Sequence, residues 1–355
     1  MAVAAKRIET APRVEARGVS LRAGLVAAAF LLVALVVGLA VGVTDIGLGA
    51  IFRSALSYVP GVHVHQSLSA TDHTIVWQLR APRVALAALV GGMLAIAGAS
   101  YQGVFRNPLC DPYLLGVAGG AGLGATLAII YASTSGTTWT VPLASFGGAI
   151  AAVAVTYALG RSVGAAHMTG ALVLAGVTMA TFTAAVQTFI QQRHPDRLQT
   201  IYSWLLGGFN LSTWHDVGLC APYIALSAVV LFLHRRVLDV LSVGDDEAAS
   251  LGINVARARL TIVVAATLGT AAAVSVSGLI AFVGIIVPHL IRLLVSTSYR
   301  AVIPLSFLAG AGFLVLADVA ARTLFSGAEE PIGVITAFLG APFFAVVLRT
   351  SRSMR

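Results

Sequence analysis

Apolar stretches of about twenty residues follow one another from position 23 almost to the C-terminus, the length a helix needs to cross a hydrocarbon layer about 30 Å thick. Inside such a layer every backbone N–H and C=O must be satisfied within the protein, which leaves helices or a closed barrel. A barrel requires segments of about ten residues alternating in polarity, and no such alternation occurs here. The fold class expected is therefore an all-α polytopic membrane protein. Composition agrees, since 58% of residues are hydrophobic and 10% charged, where a soluble domain carries about 25% charged residues.

Reading apolar runs between polar breaks gives about ten spans, at 23–43, 84–104, 113–132, 139–160, 170–192, 217–234, 260–275, 278–296, 301–321 and 331–349. The stretch 260–294 is too long for one crossing, because a helix rises about 1.5 Å per residue. The small, turn-tolerant Ser275–Gly278 is expected to divide it.

Orientation follows from the basic residues. With the N-terminus inside, 16 of the 22 lysines and arginines fall on inner segments and 6 on outer ones, as the positive-inside rule requires. Both termini are then cytoplasmic. The run 23–43 exceeds the 7–15 residues of a signal-peptide core and is expected to remain as the first span. Residues 1–22 read as a cytoplasmic tail and 23–350 as one membrane domain. The outer segment 44–76 is expected to hold a short surface helix at Asp45–Leu56, capped by Asp45.

Several chemistries lack their residues. No GxxxxGK[ST] loop is present to cradle ATP phosphates. Gly119, Gly120, Gly122 and Gly124 lie in an apolar span, where small residues let helices approach closely. Cys110 and Cys220 have no metal-ligand spacing. His289, beside Pro288, reads as a polar group at a kink. No catalytic or metal constellation is found. No charge falls clearly in mid-span with a partner, Asp318 coming nearest, which argues against ion-driven transport by this chain alone.

One segment stands apart. In LSVGDDEAASLGINVARARL (241–260), within the inner loop 235–259, three acidic residues stand together. Gly244 ends the preceding chain, and Asp245 is expected to cap a helix with Asp246 and Glu247 in its positively polarised first turn. Ala248, Ala249, Ser250 and Leu251 continue it, and Gly252 stops it. Taken alone, this describes either a solvated loop helix or a rigid plug for a cytoplasmic partner. Arg80 and Arg83 flank Ala-Pro at the outer mouth of the second span, spaced to share one helix face. Interfacial snorkelling explains them as well as a docking role does. The fifth span carries a small, weakly polar stripe including Thr169, Gly176, Ala180, Thr183, Gln187 and Gln191. Helix packing or a water-contacting wall would account for it equally.

GDDEAASLGINV resembles the ATPase-coupling segment of FecCD-type permeases, the membrane subunits of ABC importers for iron chelates, haem and cobalamin. FRNPLCDPYLLGVAGGAGLGA (105–125), WQLRAPRVALAALVGG (77–92), SGLIAFVGIIVPHLIRLL (277–294), LADVAAR (316–322) and EEPIGVITAFLGAPFFAVVL (330–347) are similar to that family in order and spacing. The resemblance implies ten spans and a type II ABC importer architecture. It further implies two permease copies, most simply a homodimer, around one pathway. Two ATPase subunits, which use ATP and Mg, would lie below, with a substrate-binding protein outside. The permease itself would bind no cofactor. By the same resemblance Gly244–Gly252 docks the ATPase, Arg80, Arg83 and Arg322 meet the binding protein, and Thr169 lies at the cytoplasmic gate of a pathway lined by the fifth span. The location implied is the bacterial inner membrane. The cargo expected first is an iron chelate, siderophore or haem, with cobalamin as the alternative. A stand-alone secondary carrier is the reading from a different class.

Overall fold

A computed structural model describes residues 18–42, 44–58, 68–132, 139–162, 168–324 and 329–352. Most of the tail expected at 1–22 lies outside them. The described residues form helices joined by short turns, with no strand among them.

The chain opens with α1 (Leu21–Ala40), capped by the Ser20 hydroxyl, which accepts the Ala23 N–H. The short α2 (Leu48–Leu56) follows, its N-cap being Gly47 and not the expected Asp45. A continuous rod then runs through α3 (Ala70–Thr74), a π-helical turn at Ile75–Arg80 and α4 (Ala81–Phe105). Its 36 residues exceed the thickness of a bilayer. The first turns pack beside α2 instead, where the Trp77 indole donates to Ser54 Oγ at 3.0 Å. Beyond α4 come α5 (Val117–Tyr131), α6 (Thr140–Arg161), α7 (Met168–Gln192), the short α8 (Leu198–Leu205) and α9 (Trp214–Val243). A capping box between Thr213 and Asp216 starts α9. The chain ends with α10 (Asp245–Ser250), α11 (Val255–Ser277), α12 (Val283–Leu294), α13 (Tyr299–Thr323) and α14 (Ile332–Arg352).

Each of the ten expected spans has its helix. Seven are long and apolar enough to cross a membrane by themselves, and α5, α12 and α14 are shorter apolar helices. The division of 260–294 falls at Gly278, whose φ of +68° ends α11, and at Phe282, whose φ of +70° precedes α12. Left-handed backbone at Phe282 is uncommon for a bulky residue, and the segment between is pinned from outside. Tyr113 Oη donates to the Ile280 carbonyl at 2.9 Å and accepts the Ile280 N–H at 3.0 Å. Such anchoring is what irregular backbone at membrane depth requires.

The core is built around α4, buried on all sides by α1, α9, α11, α12 and α13. A helix apolar all round must be central. Its small residues let neighbours come within backbone contact, since a Cβ on Gly98 would collide with the Gly284 carbonyl and one on Gly91 with that of Gly310. The perimeter is the reverse. On α1, Leu21, Leu25, Val26, Leu32 and Val33 are exposed, as a face turned to acyl chains should be.

Candidate functional site

Two clusters of charge close the bundle at its opposite ends, with α7 between them exposing much of its length.

At one end lies α10. Gly244 is its N-cap, with an extended backbone and no capping side chain, so Asp245 is the first helical residue rather than the cap. The reason is that the Asp245 carboxylate is used elsewhere. Both its oxygens accept from Arg259 Nη2 at 3.1 Å, and Oδ1 stands 3.7 Å from Arg106 Nη2. Arg106 reaches it from the left-handed residue that terminates α4, at φ 52°. Asp246 and Glu247 point outward with Ala249, Ser250 and Leu251, while Ala248 is buried. Gly252 takes φ +79° as expected. The Ile253 N–H donates to the Ala248 carbonyl at 3.0 Å and the Gly252 N–H to that of Ala249 at 2.9 Å, the pair of bonds of a Schellman stop. The result is a closed two-turn element on a glycine at each side, with an exposed acidic and apolar face.

The same end is fastened by Asp239 of α9, which accepts from the Ser298 hydroxyl at 2.8 Å and from the Tyr299 N–H, holding the start of α13. Arg292 of α12 donates to Gln102 Oε1 at 2.6 Å. The contact sets the α4 and α12 termini side by side.

At the opposite end, Arg83 donates through Nε to Asp318 at 2.9 and 3.0 Å and through Nη1 to Glu329 at 2.9 and 3.1 Å. Asp318 is fully buried and also stands 3.4 Å from Arg322 Nε. Arg322 is buried and donates to the Gly38 carbonyl at 2.7 Å. Arg80 is buried too, and its guanidinium donates to the carbonyls of Leu39, Ala40 and Thr44 at 3.0, 2.9 and 2.6 Å. Two expectations are corrected here. Arg80 and Arg83 do not present one shared free face, because Arg80 satisfies the orphan carbonyls that end α1. Asp318 is not an isolated charge, because two arginines from α4 and from its own helix surround it. Burying a carboxylate requires such partners.

The α7 stripe divides between two surroundings. Gly176 packs so closely on the turn before α5 that a Cβ would strike the Leu114 carbonyl; Thr183 lies against Gly119, and Gln187 beside Gly122. Thr183 and Gln191 are buried and Ala180 is exposed at the edge of this face. The stripe is thus largely the face by which α7 packs on its own chain, where small side chains allow close approach. The open face carries Leu174, Val177, Thr178, Thr181, Phe182 and Phe189. Thr169 begins the same helix, but its side chain lies outside the described residues.

Among the described residues no group of three His, Cys, Asp or Glu stands close enough to hold a metal. His289 meets the ring of Phe343 edge-on, with centroids 5.8 Å apart. Cys110 and Cys220 are free and buried.

The partners that organise both clusters, Arg106, Arg259 and Glu329, were missed by the sequence reading. Arg106 and Glu329 lie far along the chain from the residues they bind, Arg259 lies 14 positions from Asp245 beyond a turn, and no periodic pattern connects any of the pairs.

This arrangement of helices recurs in proteins of known class. The profile of the FecCD transport family matches residues 30–350. The chain belongs to the FecCD transport family. An uncharacterized ABC transporter permease protein of Bacillus subtilis, YvrB, is 39% identical over 346 residues, 95% of this chain and 96% of its own. The cobalamin import system permease protein BtuC of Halobacterium salinarum is 41% identical over 279 residues, covering 79% of this chain and 74% of that one. A solved ABC transporter in an inward-facing conformation superposes with a TM-score of 0.81 at 28% identity, over 93% of this chain and all of that one. As a FecCD-family member the chain is a multi-span membrane permease of the ABC transporter class, and the acidic α10 lies in one of the stretches that resemble that family.

Proposed function

We propose that this FecCD permease forms half of the translocation pathway of an ATP-driven importer whose cargo is a metal chelate, siderophore or haem, with cobalamin as the second reading. The single observation that carries the proposal is α10: a capped helix at one end of the bundle, fixed through Asp245 and offering Asp246, Glu247 and Leu251 outward. Such a rigid, exposed element suits the cleft of a cytoplasmic ATPase, and that end of the bundle is then the inner one. Relatives that import iron(3+)-hydroxamate, hemin and cobalamin support the cargo class. Two copies enclose the pathway, two ATPase subunits bind below, and a binding protein delivers cargo from outside, in a bacterial inner membrane with both termini inside.

On this reading Arg83 is the docking arginine for the binding protein. Its second carboxylate, Glu329, is partly exposed and exchangeable, while Arg80 and Arg322 hold the outer ends of α1, α4 and α13 in place. Arginine suits this, since its fork donates bidentately to a carboxylate. The pathway wall is the open face of α7 around Val177, Thr181 and Phe182, with Ala180 and Gln187 at its edge and Thr169 near the inner gate. A wall without charge passes a bulky chelate without trapping it.

The test is purification from native membranes in mild detergent, followed by uptake in vesicles. The expected result is a co-purifying ATPase that is lost when 245–252 becomes a flexible linker, and ATP-dependent uptake of one chelate class. Uptake by the chain alone, without ATP, would establish a secondary carrier instead.

A further inference from the structure

The three acidic residues of α10 do not share one task. Asp246 and Glu247 face outward, whereas the half-exposed Asp245 carboxylate lies between Arg259 of α11 and Arg106 at the end of α4. Arg259 is buried, its Nη2 donates to this carboxylate while its Nε finds no acceptor, and Asp245 is the counter-charge it meets. Little else holds α10 down. Ala248 is its one buried side chain. Its two covalent connections run through Gly244 and Gly252, the residue type with the greatest backbone freedom. Without the ion pairs the helix could pivot on those two glycines. With them it is tied side chain to side chain to two helices, one remote in the chain and one that follows it after a four-residue turn. One is α4, the buried centre of the bundle, and the other is α11, which packs on both α4 and α9.

We propose that Asp245 is a positioning residue for force transmission: it locks the docking helix to Arg106 and Arg259, so that a displacement of α10 is delivered to α4 and α11 rather than absorbed at its glycine hinges. This deepens the importer reading and rests on it. Asp246 and Glu247 keep the contact with the ATPase, and Asp245 determines what the contact achieves. The coupling travels through a contiguous ionic and packed path with discrete partners, the arrangement by which movement at one site biases another.

The experiment uses the whole complex of permease, ATPase and binding protein in proteoliposomes, and reads cargo transported per ATP hydrolysed. Asp245→Asn preserves shape and removes the charge. The expected result is a complex that assembles and hydrolyses ATP within about twofold of wild type while transport per ATP falls about tenfold, the scale of a typical coupling energy. Asp245→Glu recovers part of the loss, and Asp246→Asn lowers affinity for the ATPase without this selective fall. Arg106→Gln, at a more exposed position, gives a smaller fall in the same direction and stands in if Asp245→Asn does not assemble. A spin label at Ser250 becomes more mobile in both variants. Wild-type transport per ATP in Asp245→Asn, or in Arg106→Gln where the first fails to assemble, overturns this proposal alone. Absence of ATP-dependent uptake by the wild-type complex overturns the importer reading and this proposal together.

Discussion

Arg83 and Asp318 stand 235 positions apart in the chain and 2.9 Å apart in space, and the bond between them closes α4 onto α13 at one end of the bundle. Asp318 is inaccessible and Arg83 nearly so, so neither charge can be left alone cheaply. Arg83→Leu is expected to destabilise the detergent-solubilised protein by about 3–5 kcal/mol, the cost of stranding a buried partner. The double change Arg83→Leu with Asp318→Leu should cost less than the two single changes added together. Thermal unfolding of all three variants measures both quantities.

Arg80 is a backbone clamp, its guanidinium within 3.0 Å of the Leu39 and Ala40 carbonyls in the last turn of α1 and of the Thr44 carbonyl beyond it. Lysine keeps the charge but not the planar fork. Arg80→Lys should therefore lose about 1–3 kcal/mol through unsatisfied buried carbonyls. Hydrogen exchange should show faster opening at Leu39–Thr44, with α13 unaffected.

Gly98 of α4 and Gly284 of α12 meet backbone to backbone, and no side chain fits between them. Gly98→Ala should force the helices apart and cost about 1–3 kcal/mol, and Gly98→Leu more. A control at Gly147, where a Cβ would meet nothing within 4 Å, should be near neutral. The measurement is yield and melting temperature of each variant.

Gly252 gives a cleaner backbone test, because its Cβ would also meet nothing within 4 Å while its φ is +79°. Any loss in Gly252→Ala is then conformational, about 1 kcal/mol. The expected outcome is a frayed α10 and weaker binding of the ATPase, read by titrating the purified partner.

The face of α7 turned to the pathway can be found by thiol labelling. Cysteines at Val177 and Thr181 should react with a membrane-impermeant maleimide in the assembled transporter and be shielded by cargo. A cysteine at Thr183, buried beside Gly119, should not react. The opposite pattern would return the pathway to the small-residue stripe.

Membership of the all-helical class, the approximate span count and the two-turn acidic helix were legible in the sequence, for reasons local to each segment. A run of twenty apolar residues can satisfy its backbone in a bilayer only as a helix, and Gly252 stops α10 because left-handed backbone there suits glycine alone among the nearby residues. What the tertiary structure decided was the partner of each polar side chain. Arg80 looked like a surface residue until the end of α1 was brought to it, and Asp245 looked like a cap until Arg106 and Arg259 claimed its carboxylate. The α7 stripe stayed open between two readings for the same reason, since small weakly polar residues suit a packed interface and a wet wall alike, and the position of α5 is what sets Gly176 and Thr183 against the chain's own turns. Hydrophobic periodicity encodes which segments enter the membrane, whereas charge pairing depends on which helix ends the fold brings within a few ångströms.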